Sequence, residues 1–348
     1  MNQIELHRLI AASDPRDADF AVQLVDALLQ ISIEAGASDL HLTPSADELR
    51  LQWRIDGVLQ PLGAIPKRLA GNVVTRLKVL ARLLTYQTSV PQEGRLTPTD
   101  ADVEVRVSTF PTLFGEKIVA RNLPRGDVEL ALLADLQLPP PVENALREAL
   151  RQTSGALLLV GPAGSGKSTT GYACLRELVQ RSECLRSVAS LEDPVEVVVD
   201  GVAQSEASAA NGFDLHTGLR SLVRQDPEVI YIGEMRDPET AKVALQAAMT
   251  GQLMITTFHA GDAAEALCRL TDMGVPSYVL RSAVRTVTAQ RLLRRLCSCS
   301  AAADAEDRAA TLGLQVSALR RPVGCDACRN TGYLGRIPLA EALRVDHP

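Results

Sequence analysis

The stretch ALLLVGPAGSGKSTT, residues 156–170, decides the fold. It opens with five apolar residues, Ala156 to Val160, a run of the length and type expected of a strand buried on both faces. It then meets the pattern G-x-x-x-x-G-K-[ST] at Gly161, Gly166, Lys167 and Ser168 and passes into a helical pattern. Strand, glycine-rich turn and helix in that order make a phosphate-binding loop. The glycines let backbone N–H groups approach phosphate oxygens without an intervening Cβ, and the helix N-terminus adds a favourable dipole. Lys167 reaches the β- and γ-phosphates and Ser168 offers a hydroxyl to Mg²⁺. The loop from Gly161 through Pro162, Ala163, Gly164, Ser165, Gly166 and Lys167 to Ser168 and Thr169 is therefore assigned to a nucleotide, with ATP and Mg²⁺ as its expected ligands.

Three further strand-like runs follow, each ending in polar residues. SVASLEDPVEV runs into Glu192, Asp193, Pro194 and Glu196, PEVIYIGEMRDPETA ends its apolar run at Gly233-Glu234, and GQLMITTFHAGDA ends at His259. Helical stretches lie between them. One begins at Asp237, a suitable N-cap, with Pro238 in its first turn, and stops at Gly251. Strands alternating with helices imply a mostly parallel sheet that binds ligands beyond the carboxyl ends of its strands. Glu196, Glu234 and His259 are all expected at the edge that carries Lys167. There one carboxylate takes or orients a proton of the attacking water, another holds Mg²⁺ or its waters, and the histidine senses the γ-phosphate. Asp193 taken alone reads as a helix cap. Arg220 and Arg224, four apart on one expected helix, share a face that is either a salt-bridged surface or a positive surface for phosphate.

Upstream, Ala21 to Ala35 reads as an amphipathic helix ending at Gly36. ELRLQWRIDGVLQPLG alternates apolar residues at Leu49, Leu51, Trp53 and Ile55 and turns at Asp56-Gly57, a strong hairpin signal. A helix is expected from Pro66 to Leu84, then strands at VEVRVSTF and EKIVARN. This is a small α+β domain over residues 1–121. A proline-rich linker, 122–140, leads to the nucleotide-binding domain, 141–348. In the small domain Arg95, Arg106 and Arg121 read, without further context, as solvated charges on strand faces.

The chain has 348 residues, 46% hydrophobic and 22% charged, the balance of an ordinary globular protein of two or three domains. A net charge of -6 and 3% aromatics argue against nucleic acid as a partner. No secretory signal begins the chain, and no apolar stretch reaches the roughly 18 residues that a spanning helix needs. A cytoplasmic location without a direct membrane span is expected. Seven cysteines in a reducing compartment favour metal ligands over disulfides. Cys297 and Cys299 in LCSCS and Cys325 and Cys328 in VGCDAC are the candidates, as a metal site, reactive thiols or small buried residues.

The order of motifs resembles, over nearly the whole chain, the ATPase family of bacterial type II secretion and type IV pilus assembly. The resemblance runs through ASDLHL, WRIDGVL, PQEGR, VRVSTFPTLFGEKIV, the phosphate loop, LEDPVE, LVRQDPEVIYIGEMRDPETA, TTFHAGDA, MGVPSYVL, AQRLLRRLC and GCDACRNTGYLGR. It implies that the small amino-terminal domain is PAS-like and precedes a RecA-like ATPase domain with a late four-cysteine subdomain, assembled as a hexameric ring. In such a ring each amino-terminal domain packs near a neighbour's nucleotide. It further implies Glu196 as general base, with Glu192 and Asp193 organising the site. Glu234 becomes the acid near Mg²⁺ and His259 the residue of the histidine box. Arg95, Arg106, Arg220 and Arg224 become groups that approach phosphates, with Arg121 left open.

The function implied is an ATP-driven motor for pilin or pseudopilin assembly, peripheral to the inner membrane through platform and docking proteins. The alternatives are a retraction motor of the same superfamily, which typically lacks the four-cysteine segment, and a nucleic-acid translocase on the same core. The family's cysteine segment carries C-x-x-C twice and suits Zn²⁺. Here the first pair is C-x-C, with Ser300 where the second thiol is expected. TFHAGDA stands for the commoner TLHTNDA, and the hairpin between Arg95 and Arg106 is expected to be short. The sequence begins almost at ASDLHL, so the extra amino-terminal domain of many assembly ATPases is expected to be missing.

Overall fold

The structure is a computed structural model that describes residues 8, 10–11, 19–97, 103–124, 132–181, 186–208, 211–303 and 319–345. It divides into two compact units, Met1–Val128 and Glu129–Pro348. The tip of the hairpin between Arg95 and Arg106, and the centre of the expected linker, lie outside the described residues.

The first unit holds α1 (Phe20–Glu34), β1 (Asp39–Pro44), β2 (Glu48–Ile55), β3 (Val58–Pro66), α2 (Lys67–Leu80), β4 (Gln92–Leu96), β5 (Val103–Thr112) and β6 (Gly115–Pro124). Its six strands form one antiparallel sheet in the order β3-β2-β1-β6-β5-β4. Leu49, Leu51, Trp53 and Ile55 are buried, as their alternation requires, in one core with apolar residues of α1 and α2. Asp56 and Gly57 both take positive φ, 50° and 81°, at the two-residue turn between β2 and β3. Helix α2 stops at Leu80 rather than continuing to Leu84. Arg82 turns left-handed, and the Leu83 N–H closes on the Lys78 carbonyl at 2.8 Å, ending the helix with a cap. Lys78 and Glu116, 1% and 4% exposed, form a buried ion pair at 2.8 Å, and Lys78 also donates to the Gln87 carbonyl.

The second unit begins with a short 3₁₀ turn, Leu133–Leu136, and α3 (Pro140–Leu150). Leu133 and Leu138 are buried with α3, so this part of the expected linker packs as core of the second unit. There follow β7 (Gly155–Val160), α4 (Lys167–Arg181), β8 (Val188–Glu192), β9 (Ala203–Glu206), α5 (Leu215–Leu222), β10 (Val229–Ile232), α6 (Pro238–Met249) and β11 (Leu253–Phe258). Then come α7 (Ala263–Asp272), α8 (Ser277–Ala283), β12 (Val284–Leu296), the two-residue strands β13 (Ala301–Ala302) and β14 (Arg320–Arg321), and β15 (Tyr333–Arg344). The main sheet runs β15-β12-β7-β11-β10-β8-β9, parallel except for β15, which pairs antiparallel with β12.

Strand β7 shows why the leucine run carries the fold. Ala156, Leu158 and Val160 face one apolar core with α6, α7 and α8, while Leu157 and Leu159 face another with α3 and α4. A strand covered on both faces has no use for polar alternation. The result is a three-layer α/β domain, and among the described residues no helix is long and apolar enough to cross a membrane.

One close packing joins the phosphate-loop helix to the sheet. A Cβ added at Gly171 of α4 would lie 2.7 Å from Cε2 and 2.8 Å from Oη of the fully buried Tyr231 on β10. Gly171→Ala gains about 1 kcal/mol of helix propensity against an overpacking cost of about 1–3 kcal/mol. A lower midpoint in thermal unfolding is expected. An unchanged or higher midpoint would show that the tyrosine can give way.

Candidate functional site

Sheet register sets the site before any side chain does. Val160 pairs with Phe258 on one side and Ala289 on the other, so Gly161 and His259 leave their strands at the level of Gln290, where β12 continues. Ile232 pairs with Thr256 and with Leu191, which brings Glu234 and Glu192 to the same edge.

Gly161, Gly164 and Gly166 all adopt positive φ. A Cβ at Gly161 would strike the Gln290 carbonyl at 2.4 Å, and one at Gly166 would lie 3.0 Å from the Gln290 amide nitrogen. Glycine at both ends of the loop is thus enforced by the strand beneath it as well as by backbone conformation. Lys167 is buried, and its Nζ donates to the carbonyls of Gly161 and Pro162 at 2.9 and 3.0 Å. Burial lowers its pKa and the charge of Glu234 opposes that shift, which places these two groups in one electrostatic field.

Glu234 is the centre of a polar cluster. His259 Nε2 lies 3.2 Å from Glu234 Oε1, and Arg236 donates to Glu234 Oε2 at 3.1 Å while its other terminal nitrogen lies 3.6 Å from Asp193. The Glu234 carboxylate beside it raises the Arg236 pKa further. Sequence patterning did not single out Arg236, although it stands two residues past Glu234. Asp193 is joined to this cluster rather than capping a helix.

Glu192 is placed differently from Glu234. It is 2% exposed, and its carboxylate accepts from the Tyr172 hydroxyl, from Ser190 Oγ at 2.5 Å and from Gln204 Nε2 at 3.1 Å. Glu196 lies exposed on the loop after β8. Its backbone N–H donates to the Tyr172 hydroxyl oxygen at 3.0 Å.

The arginines divide. Arg95 on β4 and Arg106 on β5 are direct cross-strand partners in the first unit. Arg95 lies 3.3 Å from Glu104, and Arg106 donates to Glu93 at 2.7 Å. Arg121 donates to Asp39 at 2.8 Å. Arg220 and Arg224 are both exposed, but they do not share one helix. Helix α5 ends at Leu222, because the Arg224 and Gln225 N–H groups turn back three residues, to Ser221 and Leu222, and Asp226 goes left-handed before Pro227.

Gln290 also went unread in the sequence. It is 3% exposed and uses both ends of its amide: Oε1 accepts from Thr170 Oγ1 at 3.0 Å and Nε2 donates to the Ser165 carbonyl at 2.8 Å. Nothing in local spacing signals this role, since the partners are more than a hundred residues away in the chain.

The four cysteines converge. The Sγ atoms of Cys297, Cys299, Cys325 and Cys328 all lie within 4.8 Å of one another. Three of the separations are 3.9, 3.9 and 3.8 Å. Four sulfurs about 2.3 Å from a tetrahedral Zn²⁺ are themselves about 3.8 Å apart. The donor set therefore fits that ion. Burial opposes the Cys328 thiolate, but backbone N–H groups of Cys325 and Gly332 and the neighbouring thiols outweigh it and pull its pKa down to about 6. The C-x-C spacing is accommodated by a turn in which the Ser300 N–H donates to the Cys297 carbonyl at 2.9 Å. Ser300 Oγ accepts from Arg320 Nε at 2.9 Å.

Comparison with known proteins accords with this geometry. A family model described as Type II/IV secretion system protein matches residues 14–348. The type II secretion system protein E of Aeromonas hydrophila is 38% identical over 332 residues, covering 93% of this chain and 66% of the relative. The type IV pilus assembly ATPase TfpB of Acinetobacter baylyi is 38% identical over 335 residues, covering 93% and 57%. The chain thus spans between 57% and 66% of the length of these two relatives. Among solved structures, the pilus retraction motor PilT with bound ADP is similar with a TM-score of 0.59 at 28% identity, over 78% of this chain and 79% of that one. The ATPase DotB of Legionella pneumophila shares the fold with a TM-score of 0.65 at 21% identity, over 96% and 82%. A phosphate loop, a glutamate–histidine pair and a four-thiol cluster in this order, matched along nearly the whole chain, place it in the type II/IV secretion system protein family.

Proposed function

We propose that this chain is an ATP-hydrolysing motor that powers pilin or pseudopilin assembly in a type II secretion or type IV pilus system. It acts in the cytoplasm, at the inner membrane through platform and docking partners. The observation that carries the reading is the convergence of Lys167, Glu234 and His259 at one edge of a parallel sheet.

In this reading the loop 161–169 wraps the phosphates, and Lys167 exchanges its two carbonyl partners for phosphate oxygens. Ser168 and Glu234 hold Mg²⁺, which when bound neutralises charge on the transferring phosphoryl group. His259, held by Glu234, reports the γ-phosphate. Glu196 orients and deprotonates the attacking water. The working unit is a homohexamer, in which Arg95 and Arg106 of one subunit, and Arg220 and Arg224 of the ATPase domain, supply positive charge to phosphates. The paired state of Arg95 and Arg106 means that each must leave a carboxylate to do so. Cys297, Cys299, Cys325 and Cys328 hold a structural Zn²⁺, which takes no part in the chemistry. A retraction motor is the second reading, favoured by the likeness to PilT over 78% of the chain. The four-thiol cluster favours assembly. Cells lacking the protein separate the two: they bear no pili or pseudopili if it assembles them, and an excess of non-retracting pili if it retracts them.

ATP turnover and nucleotide affinity test the chemistry. Glu196→Gln and Glu234→Gln are each expected to retain nucleotide while losing turnover by about 10²-fold or more, and Lys167→Ala is expected to weaken binding itself. Unchanged turnover in Glu234→Gln would remove Glu234 from the chemistry, and nucleotide binding without turnover in the wild-type protein would point instead to a switch that does not hydrolyse.

Elemental analysis tests the metal. About one zinc per chain is expected, lost in Cys325→Ser along with thermal stability of the protein. A folded, active protein free of metal would rule the zinc out.

A further inference from the structure

Tyr172 stands five residues beyond Lys167, on the same helix, and is buried. Its ring lies 5.9 Å from that of Tyr231, centroid to centroid, on the strand that leads to Glu234. Its hydroxyl is used in every direction a phenol offers. It donates to Glu192, and it accepts from the backbone N–H groups of Glu196 at 3.0 Å and Val197 at 3.4 Å.

Glu192 is in turn fixed by Ser190 and Gln204. Gln204 grips the same loop from its other end: Nε2 donates to the Val197 carbonyl at 3.0 Å, and Oε1 accepts from the Val199 N–H at 2.6 Å. The loop of residues 193–199 therefore has a buried polar anchor under Glu196, while the Glu196 side chain itself is exposed. A fully satisfied buried network of this kind holds one backbone geometry, because any displacement leaves a buried donor or acceptor without its partner.

We propose that Tyr172 and Glu192 are positioning residues for hydrolysis: the Tyr172 hydroxyl, set by Glu192, fixes the backbone of Glu196 relative to the phosphate-loop helix. The proposal rests on Glu196 acting as the base. It moves Glu192 from chemistry to support, since its described side-chain hydrogen bonds go to Tyr172, Ser190 and Gln204. It also gives the motor a short mechanical link. A shift of the helix that begins at Lys167 displaces the residue that orients water, with a single phenol between them.

Tyr172→Phe in the full chain tests this, because it removes one oxygen and keeps the ring against Tyr231. A misplacement of about 1 Å near a reacting centre costs on the order of 100-fold in rate. A fall in kcat of about 10- to 100-fold is expected, with the KM for ATP and the affinity for a non-hydrolysable analogue within about twofold of wild type. In a Glu196→Gln background the same substitution should cost less than about twofold further, because there is no base left to place.

Wild-type kcat in Tyr172→Phe, with Glu196→Gln impaired, overturns the positioning role and leaves the base intact. So does an equal, multiplicative loss in the double variant. Wild-type kcat in Glu196→Gln instead removes the base assignment and this proposal with it. If Tyr172→Phe does not fold, Gln204→Met, which releases Val197 and Val199 at the other end of the loop, carries the same expected split between kcat and KM and the same refutation.

Discussion

Everything at the proposed site depends on five parallel strands held in register. Strands β12, β7, β11, β10 and β8 are neighbours, and their pairing sets Gln290, Gly161, His259, Glu234 and Glu192 along one edge. A slip of one residue in any strand would turn its side chains to the other face. In β7, β10 and β11 the apolar runs oppose that slip, since alternate apolar residues are committed to two separate cores. Strand β11 lies between β7 and β10, so His259 is interposed between the phosphate loop and Glu234 and meets the glutamate directly. The site is a consequence of strand order, and the side chains are what that order delivers.

The loop itself needs support from outside its own sequence. Its glycines permit the approach of phosphate, yet the same permissiveness would leave the loop loose. Gln290 answers this from the adjacent strand by holding the Ser165 carbonyl and the Thr170 hydroxyl with one amide. Lys167 presents the complementary problem, because a buried ammonium is disfavoured and its pKa falls accordingly. Two loop carbonyls and the field of Glu234 keep the cation in place. Rigidity and charge are therefore set by residues far apart in the chain.

That division explains how much the sequence made legible. The phosphate loop, the strand-end positions of Glu234 and His259, and the Asp56-Gly57 turn are written in contiguous residues whose chemistry has few alternatives. What escaped depends on tertiary partners. Glu192 and Glu196 sit in one motif and look alike, but only the fold shows that Glu192 is buried under Tyr172 and Gln204 while Glu196 is exposed. Arg220 and Arg224 have helical spacing, yet the chain tightens and turns at Asp226 between them and the next strand. Gln290 and Tyr172 are ordinary residues in ordinary patterns, and their partners come from other elements of the fold. Propensity and spacing carry no information about such pairs.

The four-thiol lobe shows the same principle from the side of stability. Strand β12 runs past the end of its parallel partner β7, and its last residues pair only with β15. Beyond Ala289, Cys297 and Cys328 are the buried apolar side chains among the described residues. So small a lobe cannot be held by burial alone, since its apolar area falls far short of what ordering its backbone costs. The four converging thiols are where the proposed zinc would take the place of a core. That requirement also accounts for the tolerance of C-x-C. A tetrahedral ion would need four sulfurs at the right separations, not a fixed spacing in the chain, and the turn from Cys297 to Ser300 brings Cys299 to the cluster while Arg320 engages the serine. A spacing rule describes the commonest backbone that satisfies the geometry, and the geometry is the constraint that persists when the spacing changes.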